Sequence, residues 1–141
     1  MSEEQEYTTN GLELFLIQHR HGEFEWGYND CNTFIVEYVD FLLGTNIISE
    51  VRGKYFNARS ALAFVRNYKP LDVGLQEAGF TNTETPQNGD IITFLRHGFV
   101  CGHIVGFNRV HSIDEQGGYI AVPLNQVDLS HPDLKIWRHN G

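Results

Sequence analysis

The apolar periodicity of this chain changes once, near Pro86, and that change decides its fold class. Upstream of it apolar residues recur at helical spacing. Downstream, short β-branched and aromatic runs are separated by Gly, Asn, Asp and Pro. The clearest helix lies where Phe34, Ile35, Tyr38, Phe41 and Leu42 form one stripe, with Asn29 or Asp30 placed to cap its start and Gly44 its end. Leu12, Phe15 and Leu16 predict an earlier helix that follows the capping-type stretch Thr8-Thr9-Asn10 and stops at Gly22. A third helix is expected over residues 57–67 and a short one over 71–78, ahead of Gly79. Past a turn-like segment at 81–89, strands are expected over 90–94, 99–107, 110–113, 119–124 and 135–138. Helices followed by antiparallel strands give an α+β fold, with N-terminal helices packed on a C-terminal meander of about five strands.

A length of 141 residues fits one domain over residues 1–141. The composition is that of a soluble globular protein, and no apolar run approaches the ~20 residues of a membrane helix, so membrane insertion is not expected. A formal charge of -8 argues against nucleic acid as a partner, because phosphate-backbone binding needs clustered Lys and Arg. The start, MSEEQEYTTNG, lacks the basic-then-apolar order of a secretory signal, which places synthesis in the cytoplasm.

Cys31 falls in the first turn of the clearest helix, where unpaired backbone N–H groups and the helix dipole favour a thiolate. The plain alternative is a small packing residue. The irregular aromatic lead-in Trp26-Gly27-Tyr28-Asn29-Asp30 suits a residue exposed in a cleft better than one sunk in a core. A thiolate nucleophile needs a base, and histidine is the natural one. Of the seven histidines, His19, His21, His97 (in an expected turn), His131 and His139 read as surface residues, whereas His103 and His111 fall among the strands. Cys101 stands two residues before His103 and shares its face on a regular strand, as a packing residue or as an oxidation partner for Cys31. No metal site is expected: His19 and His21 point apart on a helix, and no ligand pairs stand at zinc-finger spacing. Nothing in the sequence calls for a cofactor. Gly117-Gly118 reads as a hairpin turn.

Phe24-Glu25-Trp26-Gly27, Asp30-Cys31, Gly89-Asp90-Ile91-Ile92-Thr93-Phe94, Gly102-His103-Ile104-Val105-Gly106-Phe107 and Val110-His111-Ser112, in that order, resemble the NlpC-type papain-like cysteine peptidases. The likeness is greatest to their small tailed-phage branch, which the closing Ile136-Trp137-Arg138 also resembles. The resemblance implies a papain-like half-barrel in which Cys31 attacks a peptide carbonyl, His103 moves the proton and His111 orients His103. It also implies that Trp26, Tyr28 and Asp30 line the substrate site. The implied substrate is the peptidoglycan stem peptide, the implied location the virion tail tip, and the implied partners other phage tail or baseplate proteins. The chain departs from the family in three places: Asn32-Thr33 replaces Ser-Gly after the nucleophile, Phe24 replaces a tyrosine, and only Tyr28 and Asn29 separate Trp-Gly from Asp-Cys. The missing Ser-Gly and tyrosine give weight to a rival reading, a structural tail or baseplate subunit without activity, beside the preferred hydrolase.

The third catalytic member depends on the turn near residue 108. A two-residue turn at Asn108-Arg109 puts His103 on the face of Ser112 and Asp114, with His111 behind the sheet and Asp114 as the orienting candidate. A three-residue turn pairs Val105 with His111 and brings His111 to the face of His103. The family resemblance favours His111.

Overall fold

The computed structural model describes residues 3–96 and 98–139; His97, expected in a turn, lies outside them. Four α-helices precede six strands among the described residues: α1 (Glu3–His19), α2 (Cys31–Leu43), α3 (Ala58–Asn67), α4 (Leu71–Glu77), then β1 (Phe80–Thr83), β2 (Ile91–Arg96), β3 (Phe99–Gly106), β4 (Arg109–Asp114), β5 (Gly118–Pro123) and β6 (Leu134–His139). The fold is α+β, with an open antiparallel sheet in the order β1-β6-β2-β3-β4-β5. Strands β2 to β5 form the expected meander, but β6 returns to the far side of β2 and β1 pairs outside it.

Two expectations for the elements are corrected. Helix α1 begins at Glu3, ahead of the 8–10 stretch expected to cap it. Strand β1 lies within the segment read as a turn: Phe80 is buried against the core, while Thr81 and Asn82 are exposed. A polar edge strand with one inward side chain carries too little alternation to be recognised.

Helix α2 is fixed at both ends. The Asp30 carboxylate accepts from Asn32 N and Thr33 N at 2.9 Å, Thr33 Oγ1 accepts from Asp30 N at 2.8 Å, and Gly44 closes the helix in the left-handed region at φ 69°. One face of the sheet receives the helices: Ile91, Ile104, Ile113 and Trp137 pack with Leu12, Phe15, Phe34, Ile35 and Tyr38. Burial of a side chain such as Phe34 or Ile35 contributes roughly 1.5–3 kcal/mol relative to exposure, so α2 is the principal anchor of the sheet. A smaller cluster of Ile92, Val105, Val110 and Ile136 occupies the opposite face. Gly102 sets how closely α2 approaches β3, because a Cβ there would lie 2.3 Å from Ile35 Cγ1 and 2.9 Å from Leu71 Cδ2. At the other end of the sheet, Arg138 Nε donates to Asp90 Oδ1 at 2.9 Å and its terminal nitrogen to Asp90 Oδ2 at 2.7 Å, tying β6 to the entry of β2.

The β3–β4 turn differs from both expected geometries. Gly106 pairs with Arg109, Val105 with Val110 and Ile104 with His111, so the turn residues are Phe107 and Asn108. Both have positive φ, 55° and 63°, as a two-residue hairpin of the primed type requires. A bulky Phe at the first left-handed position is a poor turn signal, which is why the turn is misplaced by one residue from sequence.

Candidate functional site

This register decides which side chains meet. Side chains alternate across a strand, so Cys101, His103 and Val105 face one side of β3, with Val110, Ser112 and Asp114 on the same side of β4. Gly102, Ile104 and His111 face the helices. An open cleft of about 1180 Å³ lies on the first side, lined by Trp26, Cys31, Cys101, His103, Ser112 and Asp114 among others. Cys31 reaches it from the start of α2, because Gly102 lets the helix rest directly on β3 between Cys101 and His103.

His111 is therefore corrected from orienting residue to structural one. Its Nε2 lies 3.0 Å from the Gly106 carbonyl and must donate to it, which leaves Nδ1 to accept from the Tyr119 hydroxyl. Both ring nitrogens are occupied on the far side of the sheet from His103. Burial holds its pKa below the usual histidine value, so the ring is neutral near pH 7. Asp114 does share the cleft with His103, and its Oδ2 accepts from Gln116 N at 3.2 Å. Neither residue bonds His103 Nδ1, which is buried without a hydrogen-bond partner. Burial also depresses the His103 pKa, with the Ile92 carbonyl opposing and Arg96 assisting, so this ring too is neutral and able to accept a proton.

The thiol is not in the state expected from its position. Cys31 meets Cys101, and the Cys31 thiol donates to the Cys101 sulfur; that hydrogen bond, burial and the nearby Asp30 charge push the Cys31 pKa well up, against a hydrogen bond from Gly102 N–H. The same contact draws the Cys101 pKa down, helped by Arg96. The reason is local. The first-turn amides of Asn32 and Thr33 are consumed by the Asp30 carboxylate, and the negative charge of that carboxylate lies beside the sulfur. The helix start that favours a thiolate in isolation thus favours the protonated thiol here.

Asp30, expected to line the substrate site, is 2 % exposed, and its carboxylate accepts from Gly27 N as well as from the α2 amides. It caps α2 and does not line the cleft. Tyr28 is 50 % exposed, and its hydroxyl packs over Gly53 away from the cleft. Trp26 does line the cleft, edge-on to Phe24 with ring centroids 4.9 Å apart. The phenol that stands beside the thiol is Tyr55, which sequence reasoning passed over: its hydroxyl bonds Asp30 and lies 3.5 Å from Asn32 Nδ2. The available signal was Trp26-Gly27. Gly27 has φ 83°, a Cβ on it would lie 2.2 Å from the Tyr55 carbonyl oxygen, and Gly53 N donates to Gly27 O at 2.9 Å, so this glycine exists to admit the 53–55 loop. Among the described residues no group of three or more His, Cys, Asp or Glu could hold a metal ion.

These features define an α+β domain with a helix-start cysteine, a second thiol and a neutral histidine on one open cleft. The chain belongs to the family described as "Domain of unknown function (DUF6950)", whose model matches residues 6–131. Comparison with curated proteins finds no match, and comparison with solved structures finds none.

Proposed function

We propose that this protein is an NlpC-type papain-like cysteine hydrolase that cuts peptide bonds in bacterial peptidoglycan stem peptides as a component of a phage tail tip. The observation that carries the reading is His103: a neutral imidazole with an unpartnered buried Nδ1, on the same cleft as a cysteine at a helix start. In this mechanism a turn about the Cα–Cβ bond of Cys31 exchanges Cys101 for His103 as its partner. Residues two apart on a strand are ~6.6 Å apart, a shift that a side-chain rotation helps to bridge. His103 takes the thiol proton as the sulfur attacks the carbonyl and later returns it to the leaving amine. The Cys31 backbone N–H helps to hold the oxyanion, and Asp114 is the orienting candidate that shares the face of His103. Trp26 and Phe24 form the apolar wall for substrate.

The second reading, a structural tail or baseplate subunit without activity, is favoured by the resting state of Cys31, whose proton is held by Cys101 and Asp30. Incubating Gram-negative and Gram-positive sacculi with the wild type and with Cys31→Ala separates the two. Wall fragments identified by mass spectrometry only with wild type establish the hydrolase and name its bond. Fragments from neither protein, with His103→Ala leaving Cys31 alkylation unchanged, sink it in favour of the structural subunit.

A further inference from the structure

Two thiols meet in this cleft, and the hydrolase reading uses one. Cys31 at the first position of α2 and Cys101 on β3 line the same open cleft, and their sulfurs are hydrogen-bonding partners. Their meeting is built into the backbone. Gly102, next to Cys101, leaves no room for a Cβ against Ile35 and Leu71, so α2 sits on the strand with its first residue beside Cys101. Asp30 and Gly44 fix the ends of that helix, and the β2–β3 ladder, with Phe94 opposite Cys101, fixes the strand. Both residues are partly exposed, and Arg96, two residues beyond Phe94 on β2, lines the cleft near Cys101.

We propose that Cys31 and Cys101 are a redox pair that closes into a reversible intramolecular disulfide under a peroxide, taking the Cys31 sulfur out of the cleft as a nucleophile. As a form of regulation this rests on the hydrolase reading; as chemistry of the thiols it does not. Cys101 is the reacting thiol, because the Cys31 S–H and the Arg96 charge both stabilise its thiolate. Its sulfur attacks one peroxide oxygen, the O–O bond breaks, and Cys101 becomes a sulfenic acid as the other oxygen leaves with a proton as water. The Cys31 sulfur then displaces the sulfenic hydroxyl: the S–S bond forms, the S–O bond breaks, and the Cys31 proton leaves with that hydroxyl as a second water. Two thiols lose two electrons and two protons, and the peroxide is reduced to two waters. A small dithiol reverses the bond by exchange.

The test uses the full chain, reduced and then treated with equimolar hydrogen peroxide. Iodoacetamide is added under denaturing conditions, followed by intact-mass and peptide analysis. The expected result is loss of both alkylation adducts, a linked Cys31–Cys101 peptide, and recovery of both adducts after dithiothreitol. Cys101→Ser, checked for folding by circular dichroism, is expected to lose the linked peptide. Two thiols still fully alkylated, or linkage only between separate chains, overturn the proposal with no reference to variants. Release of wall fragments is measured on the same samples before and after dithiothreitol. Release by the reduced form alone supports the regulation, and equal release by the linked form overturns it. A linked peptide with no release in either form supports the redox pair and removes only the hydrolase reading.

Discussion

Cys31 is governed by its neighbours more than by its place in the helix. Cys101 accepts its proton and Asp30 sets a negative charge beside it, and both hold the thiol protonated. Removing either influence has a defined sign. Cys101→Ala is expected to lower the pH midpoint for alkylation of Cys31, raising its thiolate fraction in the neutral range about tenfold for every pH unit the midpoint falls. The check is the pH dependence of iodoacetamide labelling at Cys31, read by peptide mass; an unchanged midpoint would mean that Cys101 is not what holds the proton. Asp30→Asn keeps an oxygen to cap α2 and removes the charge, so it is expected to shift the Cys31 midpoint in the same direction. Asp30→Ala removes the cap as well, leaving the Gly27 N–H and the α2 amides without the acceptor they now have. It is expected to cost about 2–3 kcal/mol of stability in urea unfolding, a cap loss of ~1 kcal/mol plus an unsatisfied buried donor. If Asp30→Ala costs no more than Asp30→Asn, the capping account of this residue fails.

At the scale of elements, two glycines that look alike in sequence do different work. Gly44 has φ 69° with nothing within 4 Å of where a methyl group would stand, so Gly44→Ala is expected to cost only the left-handed backbone penalty, about 1–2 kcal/mol. Gly102 has ordinary φ, but its Cβ would strike Ile35, which is fully buried and cannot move aside. Gly102→Ala is expected to cost about 3 kcal/mol, at the upper end of overpacking penalties, and to separate the α2 start from β3. Urea unfolding of the two variants distinguishes them, and equal costs would show that the α2–β3 contact is looser than it looks. The same contrast explains what sequence reveals. Both ends of α2 and the start of α3 were legible because capping residues are local signals; α4 and five of the strands were legible from their apolar positions. Strand β1 was not legible, because it is held by its pairing with β6, more than fifty residues away, and not by its own pattern. The face of His111 was not legible either. It turns on a single residue of register at Phe107-Asn108, and Phe is a rare occupant of a left-handed turn position. The cleft position of Cys101 beside His103 followed from strand alternation alone, whereas the Cys31–Cys101 contact required the packing of α2 through Gly102.

For the whole molecule, three histidines set opposing dependences of stability on pH. His103 and His111 have folded pKa values depressed by burial below 6.5, so the unfolded chain takes up protons that the native chain refuses. The stability they contribute is present above 6.5 and is lost as pH falls through their folded values. His19 behaves in the opposite sense. Burial lowers its pKa, but the hydrogen bond to Glu37 at 2.7 Å, the Phe15 carbonyl and the Glu37 charge together raise it above 6.5. Its contribution is therefore full below 6.5 and is lost as pH rises through its folded value. Glu37, which also pairs with Arg52, has a folded pKa held below 4.5 despite burial, so its share persists through this range and is lost only in stronger acid. Urea unfolding of Cys31→Ser/Cys101→Ser between pH 5 and 8.5, in which no thiol titrates, is expected to show a maximum near neutrality. Each titrating histidine contributes at most about 1.4 kcal/mol per pH unit to the slope on either side. His19→Gln is expected to flatten the alkaline limb and leave the acid limb intact, because the His111 ring bonds Gly106 and Tyr119 and His103 is on the opposite face of the sheet, so neither is a partner of the His19–Glu37 pair. A stability of that thiol-free variant that climbs steadily to pH 8.5 would show that the His19–Glu37 pair does not hold its proton, and would remove α1 from the electrostatic frame around α2.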